Sequence, residues 1–412
     1  MALSKITAAS LANNSVTTDK ILDDNITGAK IENNPTIAGN LTVSGNASVT
    51  GNTTVTGNFI PSTSLSTENI LINGDMVVAQ RASSSTSNGV KTVDRWSSHG
   101  SQVAITQSQQ STGTSDAPYQ HGFTQYFRME VTSASTNSAS YAQLLQQVEA
   151  RNILRSGWNY KSSSSYVTYS FWARSSLAGT YHSFLFTTDM SPNKLRTQTF
   201  TLAANTWTKV SVTFNGDSSL TINNDTGPGM LVYIVPYYGP SFTGSNANTS
   251  SWYTVSSSDY TIDFLQNWGD TNGRTFDVTG CQLEVGQSAT PYKHETPQQN
   301  HRRCYRYYYK TPGQFAVNCI NEHPANKSMY GRFEYPVAMR AAPQASFTGV
   351  KMFEPQVDRS AIVIDGVFYN TIHSNGGVTF SGSSQVGSTG DSKRGYYADD
   401  AGEFMEFDAE YA

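Results

Sequence analysis

The stretch Gly39 to Asn58 reads GNLTVS, GNASVT, GNTTVT, GN, with Gly39, Gly45, Gly51 and Gly57 six residues apart, each followed by Asn40, Asn46, Asn52 or Asn58. Val43, Val49 and Val55 keep the same phase. A strict short period means one structural unit, repeated. Each unit brings a single dependable apolar side chain among Gly, Asn, Ser and Thr, too little for one chain to bury against the entropy of ordering itself. The repeat therefore needs partner chains. Upstream, Ile6, Leu11, Val16, Ile21, Ile26 and Ile31 fall five residues apart. A period of five is neither helical nor that of a coiled coil. It suits several identical chains that each send one side chain per unit to a shared axis, with glycine supplying tight turns and β-branched residues the extended parts. Three chains is the reading adopted, with these six residues and Val43, Val49 and Val55 on the trimer axis. A flexible Gly/Ser/Thr linker is the alternative, but a linker has no reason to keep its apolar positions equally spaced.

At 412 residues the chain has room for two or three domains. Charged residues make up only 14% and the formal charge is -4, so no strong field advertises nucleic acid or an anionic membrane as partner. Neutral hydrogen-bonding residues and aromatics dominate, the groups that bind sugars, although β-rich extracellular and virion proteins share this composition whatever they bind. The opening MALSKITAAS lacks the features of a secretory signal and no long apolar run follows, so neither classical export nor membrane insertion is expected. Cys281, Cys304 and Cys319 form a sparse, odd set. That argues against a disulfide framework and for folding in a reducing cytoplasm.

Residues 59–68 form a Pro/Ser/Thr joint. Beyond it, short alternating runs separated by Gly, Asn, Asp and Ser predict an antiparallel β-sandwich. Val167, Tyr169 and Phe171 alternate with Thr168, Ser170 and Trp172, Val210, Val212 and Phe214 alternate likewise, and Met230 to Tyr238 is a fuller run. One short helix is expected, near Ala150 to Trp158. Residues 301–310, HRRCYRYYYK, if extended, place Cys304, Arg306, Tyr308 and Lys310 on one face and Tyr305, Tyr307 and Tyr309 on the other. Such a strand stacks on bases or sugars, or else joins domains with its tyrosines packed and its arginines paired to carboxylates. The domains expected are 1–65, a virion-attachment segment and repeat shaft; 66–298, a sandwich; and 299–412, a terminal β domain.

A glycosidase needs two carboxylates about 5 to 9.5 Å apart. Asp259, Asp263, Asp270 and Glu284 are candidates, yet no catalytic signature accompanies them, and the chain is not expected to be an enzyme. His294, His301, Cys281 and Cys304 match no zinc spacing, and Asp225 to Gly229 reads as a turn before it reads as a calcium loop. Neither a metal nor a cofactor is expected. The candidate binding residues are aromatic: Tyr237, Tyr238, Trp252, Tyr253, Tyr260 and Trp268 in the turn-rich half of the sandwich, and Tyr369, His373, Tyr396 and Tyr397 in the terminal domain. For any one ring, a place in the core is an equal alternative.

The SVTTDKI and DNITGAKI stretches and the hexads after them resemble the shaft of a bacteriophage tail fibre. INGDM, DRW, YSFWARSS, TWTKVSVTF and VTGCQLEVGQSATPY resemble a jelly-roll module of such fibres, in which the VTGCQLEVG segment is the closing strand. GRFEYPVAMRAAP resembles the start of the small β domain that ends many of them. The resemblance implies an all-β homotrimer: an intertwined β-repeat shaft, a jelly-roll sandwich and a small C-terminal β domain at the distal tip. It implies attachment to phage tail or baseplate proteins through the N-terminus and binding of a host-surface polysaccharide or receptor. Assembly in the host cytoplasm and residence on the virion follow. A purely structural fibre or decoration protein and a glycan depolymerase are the alternatives.

Overall fold

The computed structural model describes residues 40–43, 47, 69–255 and 259–312, then the backbone of the strands between Phe315 and Ala398, with residues 333–348, 402 and 404–411. The expectations for Ile6, Leu11, Val16, Ile21, Ile26, Ile31, Val49 and Val55 lie outside these residues. Val43 lies within them and is 49% exposed.

From residue 84 the chain lays down β1 (Ser84–Ser85), β2 (Trp96–Ser101), β3 (Ala104–Ser111), β4 (Gln125–Ser133), β5 (Tyr141–Glu149) and β6 (Tyr166–Ser175). It continues with β7 (Gly179–Thr187), β8 (Lys194–Leu202), β9 (Thr208–Asn215), β10 (Pro228–Tyr238), β11 (Tyr253–Thr254) and β12 (Thr275–Val285). Two six-stranded sheets result, ordered β1-β3-β4-β12-β6-β9 and β11-β8-β7-β10-β5-β2. The strand pairings are antiparallel, so the expected antiparallel sandwich is present. Its core follows the alternation: Val167, Tyr169, Phe171 and Ala173 of β6 and Val210, Val212 and Phe214 of β9 face inward, and Thr168, Ser170 and Trp172 face out. β10 departs from alternation for a physical reason. Met230, Val232 and Ile234 enter the central core, whereas Val235 and Tyr238 pack with Phe184, Leu195 and Tyr253 in a second cluster on the outer face of the same sheet. The long connection from β10 to β12 folds over that face, so both sides of β10 are dry.

The motifs explain themselves as a clasp. Asn73 donates to the carbonyls of Val78 and Asp94 and accepts from the Val78 N–H, while the Trp96 indole N–H donates to the Asn73 carbonyl. Asn69 joins Leu71 to β12 by accepting from the N–H groups of Leu71 and Leu283 and donating to the Cys281 carbonyl. Gly74 admits no side chain there, since a Cβ would lie 2.0 Å from the Cys281 oxygen. In β12, Gly280 takes φ +65° beside a bulge between Thr279 and Gln282, a conformation glycine adopts without steric cost. Gln282 and Glu284, both buried, then hold the following segment: Gln282 accepts from the Lys293 N–H, and Glu284 accepts from the Thr290 N–H and hydroxyl.

Three short α-helices occur among the described residues, α1 (Ala117–Gln120), α2 (Ala150–Arg155) and α3 (Pro297–Tyr305). The helix at Ala150 was expected. α3 corrects the extended reading of residues 301–305. Thr296 and Gln299 form a reciprocal capping box with Pro297 in the first turn, and those start signals outweigh the aromatic β-propensity that follows. Only β13 (Tyr308–Lys310) is extended. It pairs with the strand Phe404–Asp408, which pairs in turn with Gln344–Thr348. A seven-stranded sheet of the strands between Ile362–Val363 at one edge and Phe368–His373 at the other makes up the rest of the terminal part.

The HRRCYRYYYK segment behaves as a joint. Arg306 grips Glu149 with two hydrogen bonds of 3.0 and 2.7 Å, and the Tyr307 hydroxyl donates to the same carboxylate at 3.0 Å. The Arg81 guanidinium lies 3.6 Å from the Tyr308 ring centre and pairs with Asp408. From the far end of the chain, Arg340 donates to the carbonyls of Ala409, Thr226 and Glu410. The last described residues thus return to the sandwich.

Candidate functional site

Tyr237, Tyr238, Trp252, Tyr253 and Trp268 are all buried, and Tyr260 is half-buried against the second cluster. Of the two readings held for these rings, the place in the core is the one the structure shows. Tyr238, Tyr253 and Tyr260 belong to the cluster on the outer face of the β10 sheet, whereas Tyr237, Trp252 and Trp268 enter the central core, and burial of each ring removes on the order of 150–250 Å² from water. Their polar atoms are spent inside: Trp252 donates to the Asn215 carbonyl at 2.7 Å, Tyr253 to the Tyr260 carbonyl at 2.8 Å, Trp268 to the Thr275 carbonyl, and Tyr238 to Gln143. In the terminal part, Tyr369 and His373 lie on the edge strand Phe368–His373, and Tyr396 and Tyr397 on Gly395–Ala398. Three strands separate the two in the sheet, so the fold does not bring them together.

The acids have structural tasks. Asp259 is buried and accepts from Asn246, Asp263 accepts from the Thr243 hydroxyl, Asp270 pairs with Arg274, and Glu284 holds Thr290. Among the described residues no cluster of His, Cys, Asp and Glu suits a metal ion. Cys281 and Cys304 are free thiols. Burial raises the Cys281 thiol far above its ordinary range, so it is an inert core group that accepts a hydrogen bond from Tyr169. The Asp225 carboxylate accepts from the Gly227 N–H, closing the turn that DTGPG predicts.

The residues that do meet on an open face are on the other sheet. Trp172 and Arg174 point outward from β6, and Trp207 sits at the entry to β9 with Tyr126 of β4 nearby. The Arg174 guanidinium lies 4.6 Å from the Trp207 ring centre, and Tyr126 meets that indole edge-on at 5.4 Å. His121 lies over Trp172 at 5.3 Å. Beneath them Asp277 of β12, its side chain 1% exposed, accepts from Arg128 at 2.7 and 2.9 Å and from Arg174 at 2.8 to 3.0 Å. Its hydrogen bonds hold the Arg128 guanidinium further above its ordinary value, and burial raises Tyr126. The hydrogen bonds to Asp277 fix both arginines, and the indoles of Trp172 and Trp207 are half-buried. The Trp207 N–H is shut from solvent with no partner among the described residues. Apolar ring faces next to fixed hydrogen-bonding groups are what a sugar ring stacks on. The signal in the sequence was a tryptophan on the polar side of an alternating strand.

The fold and this face define a two-sheet antiparallel β-sandwich with an aromatic platform. No family model and no curated protein matches the chain. Among solved structures it is similar to the enzymatically active domain of a bacteriophage CBA120 tailspike protein, at 12% identity over 53% of this chain and 21% of that one, with a TM-score of 0.29. A sugar-binding protein of Bacteroides thetaiotaomicron, so described with reservation, matches at 12% identity over 53% of this chain and all of that one, TM-score 0.29. A family 11 carbohydrate-binding module of a Clostridium thermocellum cellulase matches at 8% identity over 50% and 98% of the two chains, TM-score 0.26. Likenesses at these TM-scores leave the function to be read from the residues themselves.

Proposed function

We propose that the chain is a homotrimeric bacteriophage tail-fibre protein that attaches the virion to a host-surface polysaccharide by binding rather than catalysis. The binding reading is carried by one observation: Trp172 on β6 and Trp207 at the entry to β9 lie on the outer side of the sheet beside the Arg174 and Arg128 forks. A catalytic acid needs a carboxyl group free to exchange its proton with substrate, and Asp277, the acid beneath the indoles, spends its oxygens on two arginines. The fibre reading draws on the five- and six-residue periods of residues 6–58. In it, residues 1–65 attach to tail or baseplate proteins, 66–298 bind glycan and 299–412 form the distal part. Assembly takes place in the host cytoplasm before residence on the virion. The full-length protein should retain host polysaccharide in a pull-down, and Trp172→Ala with Trp207→Ala should reduce retention at least tenfold while the melting temperature holds. Retention unchanged by that double substitution overturns the platform. An intact trimer that retains no host material hands the chain to the purely structural fibre reading.

A further inference from the structure

A cavity of about 310 Å³ lies where the clasp, α2 and α3 meet, and three guanidinium-bearing residues line it: Arg155, Arg303 and Arg306. The sequence gives no hint of it, because these arginines come from helices separated by most of the sandwich.

Two of the three are already engaged. Arg303 pairs with Glu295 and donates to the Asn69 and Leu71 carbonyls, and Arg306 grips the buried carboxylate of Glu149 and donates to the Ala338 carbonyl. Arg155 is exposed at the end of α2, and among the described residues no acid or carbonyl pairs with it. Against three arginines stand two carboxylates, which leaves the cavity an excess of one positive charge. Asn152, one turn before Arg155 and also lining the cavity, has a side-chain amide with no hydrogen bond to any described residue. Ile70 and Ile72 add apolar wall.

We infer that this cavity binds the carboxylate of an acidic sugar, a hexuronate residue of a surface polysaccharide. Guanidinium forks match a planar carboxylate with two parallel hydrogen bonds. A single excess charge balances a monoanion, whereas a phosphate monoester carries about -1.5 to -2 at neutral pH and exceeds it. The Asn152 amide serves the ring hydroxyls and the isoleucines the C–H face. The volume is at the low end of ligand pockets, about 300–1,000 Å³, which suits one or two sugar units rather than a long stretch of polymer. The cavity shares no lining residue with the platform of Trp172 and Trp207, and its ligand rests on the proposed reading of the chain as a binder of surface polysaccharide.

The test is calorimetric titration of the full-length protein with a glucuronate-containing disaccharide, its neutral counterpart in which the carboxyl is reduced to the alcohol, and inorganic phosphate. The acidic disaccharide should bind at least tenfold more tightly than the neutral one. Arg155→Gln, which keeps a good helix former on an exposed position, should lower that affinity by roughly tenfold or more, as expected for losing a charged hydrogen bond. Asn152→Ala should lower it less. Equal binding of acidic and neutral sugar overturns the inference, as does an Arg155→Gln protein with parental affinity. Phosphate binding as tight as the uronide reduces the site to a bare oxyanion site and overturns the sugar. A changed oligomeric mass on Arg155→Gln makes Arg155 a subunit contact and also overturns it.

Discussion

Arg95 and Glu410, 315 positions apart in the chain, form a salt bridge in which the two side chains are only 1% and 4% exposed. Arg95 adopts φ +74°, its guanidinium lies 3.5 Å from the Tyr307 ring centre, and it donates to the Gln147 carbonyl at 2.6 Å. The end of the chain is thereby fastened to the sandwich edge by a charge pair that water does not reach.

Removing one partner of such a pair leaves an uncompensated buried charge, which costs about 3–5 kcal/mol. Glu410→Ala should lower unfolding stability by that amount in denaturant titrations. Arg95→Met combined with Glu410→Leu should lose clearly less than the two single changes added together, because neither charge is then stranded.

Two buried groups should pull the pH profile in opposite directions. Burial raises the Asp94 carboxyl from 3.8 to about 6, so the folded state holds a proton that the unfolded chain releases, and this term weakens the protein as pH rises from about 4 to 6. His182, buried with both ring nitrogens unpartnered among the described residues, is pushed down from 6.5 to about 4. The unfolded chain then binds the extra proton, and stability is lost as pH falls through that window. Each shift is on the order of 3 kcal/mol. Melting curves between pH 4 and 7 should show Asp94→Asn to be more acid-sensitive than the parent and His182→Phe less so.

Trp252 should report on folding and not on ligand. Its indole is buried and donates to the Asn215 carbonyl, so Trp252→Ala should cost about 3–5 kcal/mol. Any glycan binding by the protein that remains folded should equal the parent's, as measured by calorimetry below the variant's melting temperature.

The repeat predicts a trimer in solution. Light scattering of the full-length protein should give three times the chain mass. Val49→Asp should weaken the assembly, because three carboxylates would meet on one apolar axis without partners. A monomer at micromolar concentration sinks the shaft reading.

The sequence by itself determined the local grammar of the sandwich. The period-two runs at Val167 to Phe171 and Val210 to Phe214 reach the core as read, because alternation across a strand is a property of the backbone alone. The short helix at Ala150 and the turn at DTGPG were legible because each is set by neighbouring residues in the chain. The start of α3 rests on Thr296, Pro297 and Gln299, signals passed over because the tyrosines that follow drew the reading toward a strand. What only the tertiary structure decided is which aromatic rings meet water. Trp252 and Trp268 looked like loop residues and Trp172 like one more strand residue. The fold reverses them, because the connection from β10 to β12 carries Trp252 and Trp268 into the central core, while Trp172 and Trp207 stay half-buried on the other sheet. The same holds for the charges. Nothing in the spacing of Arg155, Arg303 and Arg306, or of Arg95 and Glu410, shows that they converge, since long-range pairing is fixed by how sheets pack and not by any local period.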